Sequence, residues 1–336
     1  MGCLTCCLGC ITICGCRDQV VRRLAYAPPS RYSDDDQTES EQSKLSELVK
    51  PEPKEEARPN SGDTIPGQAG PLVPDTQLPL APPPPKMRIK KSRALSERVV
   101  EGLHYTSFDL GYTKGCFRQS INGARIKALR NPGGICFIFS HGNAADVRTS
   151  LPALLALSED LQVDVVVYDY PGYGKSTGSP TETGTYLAMR LVFEHVTETL
   201  GYQSNKIVLY GQSIGSGPAI DLACELVVGG VVLHCPIASG LRVVSNDMDA
   251  PGHWFDIYRN LEKIQNVKSP VFICHGTDDS IVPVEHGLAL ARKFQQANPK
   301  LIHPPWWVAG ADHGDIECSY RKEYLKRLRA FLAKLN

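Results

Sequence analysis

A chain of 336 residues has room for one large domain or two ordinary ones. Its 36 basic and 36 acidic side chains cancel, so no global field draws it to nucleic acid or to an anionic surface, and any such attraction must be local. Twelve cysteines would suit a disulfide framework, yet six fall in the first sixteen residues and the others are scattered, mostly in apolar runs, which fits a reduced, cytosolic setting better.

Cys3, Cys6, Cys7, Cys10, Cys14 and Cys16 crowd the beginning of the chain. The apolar residues 4–16 are too few, and too broken by Gly9 and Gly15, to span a bilayer. Arg17, Arg22 and Arg23 follow this stretch instead of preceding it, unlike a secretory signal. Thioester acylation of several of these cysteines would hold the chain firmly to a membrane, because two or more acyl chains bind where one binds only marginally. Gly2 is a candidate for myristoylation, although Cys6 stands where Ser or Thr is usual and Thr5 falls one place early. The spacings Cys3-x-x-Cys6 and Cys7-x-x-Cys10 could also offer thiolates to zinc, but the segment is short and apolar for a structural zinc module. Residues 1–16 are therefore expected to form a lipidated membrane anchor, with no metal.

Residues 17–95 are expected to form a disordered linker. Thirteen of the 25 prolines lie between residues 28 and 85, alongside charged clusters such as Asp34-Asp35-Asp36. Such a segment buries too little apolar surface to offset the entropy of ordering it. The basic string Lys86-Met87-Arg88-Ile89-Lys90-Lys91 closes the linker, either as a solvated spacer or as a contact for anionic lipid headgroups.

From residue 96 to 336, short β-branched runs alternate with longer helical stretches, the pattern of a mostly parallel sheet with crossover helices. Strands are expected at 135–140, 164–169, 206–210, 230–234, 271–275 and 305–308, with two weaker ones between His104 and Arg130. Helices are expected at 150–161, 183–200, 218–227, 285–296 and 320–335.

Lys206-Ile207-Val208-Leu209-Tyr210 runs into Gly211-Gln212-Ser213-Ile214-Gly215, and a helical stretch follows. Strand, tight turn and helix around a serine is the nucleophile elbow of the alpha/beta-hydrolase fold, in which the serine hydroxyl stands above the sheet edge. The fold class expected is thus α/β, with a mostly parallel central sheet of about eight strands, helices on both faces and a minimal lid over residues 239–260. The backbone N–H of Ile214 is a candidate oxyanion donor, and the second should come from the loop Phe139-Ser140-His141-Gly142-Asn143-Ala144, at the N–H of Asn143. His141 reads as a brace for that loop.

A serine needs a base, and the base needs a carboxylate to hold its tautomer; in this fold the chain order is serine, acid, histidine. Past Ser213, the strand Val271-Phe272-Ile273-Cys274-His275 ends in Gly276-Thr277-Asp278-Asp279, which offers two adjacent carboxylates. His286, His303 and His313 lie beyond them. His313 has the right context, in the loop Ala309-Gly310-Ala311-Asp312-His313-Gly314 between a strand and the last helix, whereas His286 falls inside a helix and His303 precedes its strand.

These motifs, with Tyr168-Asp169-Tyr170, Gly172-Tyr173-Gly174, Val232-Leu233-His234 and Asp315-Ile316-Glu317, resemble the alpha/beta-hydrolase domain-containing 17 group of acyl-protein thioesterases. The segment from Leu24 to Tyr32 is similar to one that follows the palmitoylated cysteine cluster in that family. Hydrolases of this fold commonly show HGxxDxxVP, and this resemblance puts the acid at Asp279, leaving Asp278 as a solvated turn residue. It implies removal of palmitate from membrane proteins by a Ser213–His313–Asp279 triad, without cofactor, by a monomer at the cytoplasmic face of the plasma or endosomal membrane. A lipase or lysophospholipase would use the same three residues, and a catalytically dead scaffold would lack one of them. The chain departs from the family pattern in its longer linker, in its Met-Gly start, in Asp312 where a glycine is usual, and in Cys235 where a serine is common.

Overall fold

The computed structural model describes residue 26 and residues 93–100, 103–114, 117–249 and 256–335. The expected anchor lies outside these residues, as does most of the expected linker.

In chain order the elements are β1 (Arg93–Val100), β2 (Leu103–Lys114), β3 (Phe117–Lys127), β4 (Cys136–Ser140), α1 (Val147–Leu161) and β5 (Asp164–Tyr168). Then come α2 (Glu182–Glu194), β6 (Ile207–Gln212), α3 (Ser216–Glu225), β7 (Gly230–His234), the short helices α4 (Gly240–Ser245) and α5 (Asn260–Lys263), and β8 (Val271–Gly276). The chain closes with α6 (Glu285–Ala297), β9 (Trp306–Val308), α7 (Ile316–Ser319) and α8 (Arg321–Leu332). The strands form one sheet in the order β1-β2-β3-β5-β4-β6-β7-β8-β9, parallel from β5 onward. β4, β5, β7 and β8 are buried at every position, which their near-continuous apolar runs require in a sheet covered on both faces.

Among the described residues the sheet has nine strands, against the expected number of about eight. β1 carries Arg93, Glu97 and Arg98 and joins β2 as an antiparallel edge strand with an irregularity between Leu95 and Glu97, so backbone pairing rather than an apolar run defines it. It begins three residues before the expected start of the domain. A second departure is Tyr26, which falls inside the expected linker but is buried in the core. An aromatic ring of that size stays out of water when a socket of other rings receives it, and no local pattern announces such a socket. The helix expected at 183–200 is α-helical only to Glu194, then widens into a π-helical turn over His195–Thr199. That expected at 320–335 is preceded by α7.

Helix ends are set locally. Asp146 caps α1 by accepting from Thr149 N–H while the Thr149 hydroxyl receives the Asp146 N–H, and the Thr181 hydroxyl caps α2. The chain builds outward in opposite directions from β4, since β5 lies on one side of it and β6 on the other. The carboxyl ends of β4 and β6 thus form a topological switch point, the place where open α/β sheets bind ligands. The pairing of Ser140 with Gly211 brings the loops that follow these two strands side by side.

Candidate active site

Ser213 directly follows β6 and takes a left-handed backbone, φ 54°, which costs a non-glycine residue free energy and persists only where its surroundings fix it. Two neighbouring glycines show what fixes it. A Cβ on Gly215 would stand 2.1 Å from the Ser140 carbonyl oxygen of β4, and one on Gly211 would stand 2.5 Å from the Gly215 carbonyl oxygen. The elbow is pinned from below by Ser216, whose hydroxyl donates to the Ser213 carbonyl at 2.6 Å and accepts from Ile237 N–H and the Asn260 amide, each at 3.2 Å. Nothing in the motif itself marked Ser216 for this work.

Ile214 lies in the 3-10 turn Ser213–Gly215 that leads into α3. The loop after β4 lies against the serine, since a Cβ on Gly142 would be 3.8 Å from the Ser213 Cβ. Asn143, next in that loop, has its side-chain oxygen held by the Tyr173 hydroxyl at 2.7 Å. His141 is fully buried; its Nδ1–H donates to the Gly142 carbonyl at 2.8 Å and its ring lies on Tyr170. Burial lowers that imidazole to about 4, so it stays neutral, as a brace should. Asp169 accepts backbone N–H groups from Val147 and Lys175, tying the start of α1 to the loop that carries Tyr173; burial lifts its carboxyl to about 7 against those bonds.

Asp279 and His313 meet. His313 Nδ1 donates to Asp279 Oδ2 at 2.7 Å. The other carboxylate oxygen accepts N–H groups from Ile281 at 3.0 Å and Val282 at 2.7 Å. His275 Nε2 lies 3.2 Å from Oδ2 while donating to the Val282 carbonyl at 2.8 Å. Burial alone would raise the Asp279 carboxyl, but the His275 and His313 N–H groups, the charge on His313 and the Val282 N–H outweigh it and hold the group well below the usual carboxylate range. Asp278 is exposed and accepts only from the Thr277 hydroxyl among the described bonds.

Asp312 is not a free charge beside the histidine. Its Oδ1 accepts from Ser280 N–H at 2.8 Å, the Ser280 hydroxyl at 2.9 Å and His313 N–H at 2.7 Å, so it fastens the histidine loop to the acid loop. Those N–H groups hold its carboxyl below the ordinary range. Cys235, also left-handed at φ 44°, directs its thiol to the His313 carbonyl at 3.8 Å. The other candidate histidines lie elsewhere: His286 Nδ1 accepts Ala238 N–H at 2.9 Å, and His303 packs between Phe272 and Phe331.

Among the described residues, the donor atoms of Cys235, His275 and Asp279 lie within 4.8 Å of one another. Burial pushes the Cys235 thiol far up, and both Asp279 oxygens and the His275 Nε2–H already serve the contacts above, so these donors are committed within the protein. No helix among the described residues is long and apolar enough to cross a membrane.

The family model described as alpha/beta hydrolase family matches residues 137–262, and one described as prolyl oligopeptidase family matches residues 245–336. Human alpha/beta hydrolase domain-containing protein 17B is 36% identical over 197 residues, 59% of this chain and 66% of the relative. Over these residues the chain is similar to the alpha/beta hydrolase family, whose fold it shares. The mouse protein 17C is 37% identical over 196 residues, 58% of this chain and 59% of the relative, so the chain spans less than two thirds of the length of these relatives. Solved structures support the fold: an esterase from Pyrococcus furiosus superposes with a TM-score of 0.51 at 20% identity, over 68% of this chain and 92% of that one. An alpha-beta hydrolase from Vibrio vulnificus gives 0.51 at 20% identity, over 66% and 81%. The hydrolase-family features read from the sequence, the resemblance to the domain-containing 17 group and the α/β class thus agree with the relatives and with the fold.

Proposed function

We propose that the protein is a serine hydrolase that removes S-linked palmitate from membrane-associated proteins, with Ser213 as nucleophile, His313 as base and Asp279 as its orienting acid. One observation carries the reading: the 2.7 Å His313–Asp279 pair stands at the same edge of the sheet as the left-handed elbow bearing Ser213. Asp279 fixes the proton on His313 Nδ1, leaving Nε2 as the basic atom. Ser213 Oγ attacks the thioester carbonyl and gives its proton to His313 Nε2. The oxyanion is held by the N–H groups of Asn143 and Ile214. The C–S bond breaks and the cysteine sulfur leaves with the proton from His313. Water, deprotonated by the same imidazole, then attacks the acyl-serine and releases the fatty acid.

A membrane-borne substrate suits the cysteine-rich start. Lipidation at Cys3, Cys6, Cys7, Cys10, Cys14 and Cys16, with Gly2 as a further candidate, would place the enzyme on the cytoplasmic face of a membrane as a monomer beside S-palmitoylated proteins. The test compares purified enzyme with Ser213→Ala on an S-palmitoylated peptide, a lysophospholipid and a monoacylglycerol. The expected result is turnover of the peptide well above the glycerolipids, lost by about a thousandfold or more in the variant. Preferential turnover of a glycerolipid would make the protein a lipase on the same three residues, and full activity in the variant would remove Ser213 from the reaction.

A further inference from the structure

Tyr26 is the one described residue ahead of β1, and a hydrogen bond joins it to a residue 232 positions further along the chain. Its hydroxyl shares a hydrogen bond of 2.8 Å with the Tyr258 hydroxyl, and its ring meets Tyr258 and Tyr173 edge-on, with centroids 6.3 and 6.5 Å away. Both partners belong to the catalytic edge. Tyr173 holds the Asn143 side chain at 2.7 Å, and the Tyr258 ring fills the space over Gly217, where a Cβ would stand 2.0 Å from it, in the helix that follows Ser213. Thr185 completes the socket, with its hydroxyl 3.0 Å from that of Tyr258. Tyr258 itself is left-handed, φ 50°, a strained backbone for an aromatic residue, which presents the hydroxyl that Tyr26 meets.

Chain length turns this contact into a constraint. Tyr26 follows Cys16 by ten residues, whereas Arg93, where the sheet begins, follows it by 77. However the intervening residues are folded, ten of them reach at most about 36 Å, while 77 could reach over about 250 Å. We infer that Tyr26 docks beside the catalytic edge, so that the lipid-bearing cysteines hold this edge to the membrane surface by a ten-residue tether, and the number of residues between Tyr26 and β1 does not set the distance. The inference rests on the reading of those cysteines as a lipid anchor. Its consequence is a high local concentration of the site over acyl chains carried close to the bilayer, since effective concentration falls roughly as the −3/2 power of tether length.

The full-length acylated protein is assayed on vesicles carrying an S-palmitoylated peptide and, separately, on a soluble S-acyl thioester. Forty Gly/Ser residues are inserted either between residues 20 and 21 or between residues 60 and 61. The early insertion should lower the vesicle rate on the order of tenfold and leave the soluble rate within about twofold, while the late insertion changes neither. Tyr26→Ala, checked for an unchanged melting transition, should behave like the early insertion. Equal effects from the two insertions would overturn the inference. So would a Tyr26→Ala variant that loses soluble and vesicle activity alike, since the ring would then serve only to support the Asn143 loop. If the unaltered protein fails to bind vesicles at all, the anchor reading falls and the inference with it, an outcome that vesicle co-sedimentation separates from the other two.

Discussion

Gln212, the residue before the candidate nucleophile, donates its amide to the Glu317 carboxylate at 3.0 Å across 105 positions of sequence. Glu317 sits on α7, immediately after the histidine loop, and its second oxygen lies 3.2 Å from His234 Nε2 at the end of β7. The Tyr210 hydroxyl meets His234 Nδ1 at 2.9 Å and also meets the Tyr324 hydroxyl. The elbow of β6 and the loop bearing His313 are thereby fastened to each other behind the site. Glu317→Gln keeps the size of the side chain but puts an amide opposite Gln212. It should lower kcat about three- to tenfold with little change in KM, the cost of one charge-assisted hydrogen bond expressed in alignment. Steady-state kinetics on a soluble thioester checks it.

Tyr173→Phe removes one hydroxyl, the donor to the Asn143 side chain. The ring and its packing against Tyr26 and Tyr170 stay. Loss of that neutral hydrogen bond loosens the proposed oxyanion donor without touching the proposed triad, and kcat should fall about two- to tenfold while the melting temperature moves by only a few degrees. Pre-steady-state acylation rates would show whether the loss lies in the first step.

Gly215→Ala tests why the elbow needs its glycines. The added methyl would stand 2.1 Å from the Ser140 carbonyl oxygen, a backbone atom of β4 that moves only if the sheet does. The variant should lose at least about 3 kcal/mol of stability or fail to accumulate as soluble protein. Chemical denaturation gives the figure, and a variant as stable as the parent would contradict the packing described.

Two buried imidazoles make stability depend on pH. Burial lowers His141 and His286 to about 4, against about 6.5 in an unfolded chain, so between these values the unfolded chain binds more protons. Stability contributed by the neutral rings is complete above about pH 6.5 and is lost as pH falls toward 4. Asp169, lifted to about 7, acts in the opposite direction, so the comparison of variants and not the wild-type slope alone reads the histidines. His286→Asn, which keeps an acceptor for Ala238 N–H, should narrow the difference in urea stability between pH 7.5 and pH 5.

Cys235 lies against His313, yet burial pushes its thiol up and leaves it fully enclosed. Iodoacetamide should therefore leave activity unchanged in a protein whose exposed Cys318 is replaced by serine, while a fluorophosphonate abolishes it. Inhibition by the thiol reagent that tracks alkylation of Cys235 would show that this side chain is reached from the site.

The parts of the site that sequence made legible are those built from near neighbours. A β-branched run, two glycines around a serine and a helical stretch sit within about twenty residues, and steric exclusion at Gly211 and Gly215 operates over that same span. The order serine, acid, histidine follows from the fold once the elbow is recognised, whereas the choice of Asp279 over Asp278 rested on the resemblance; in the structure Asp279 is buried and Asp278 exposed. Where the apolar pattern was weak, as in β1 with its Arg93, Glu97 and Arg98, the element escaped notice because only its backbone pairing with β2 reveals it.

What sequence alone determined, then, is the class of fold, the elbow at Ser213 and the chain order of the residues that share its edge. Tertiary structure alone decided how those residues are held: Asp312 across to Ser280, Gln212 to Glu317, and Tyr26 in its socket against Tyr258. The physical reason is range. Local sterics and hydrophobic period act between residues close in the chain and leave a mark there, whereas hydrogen bonds between groups 32, 105 or 232 positions apart form only because the packed fold brings them together.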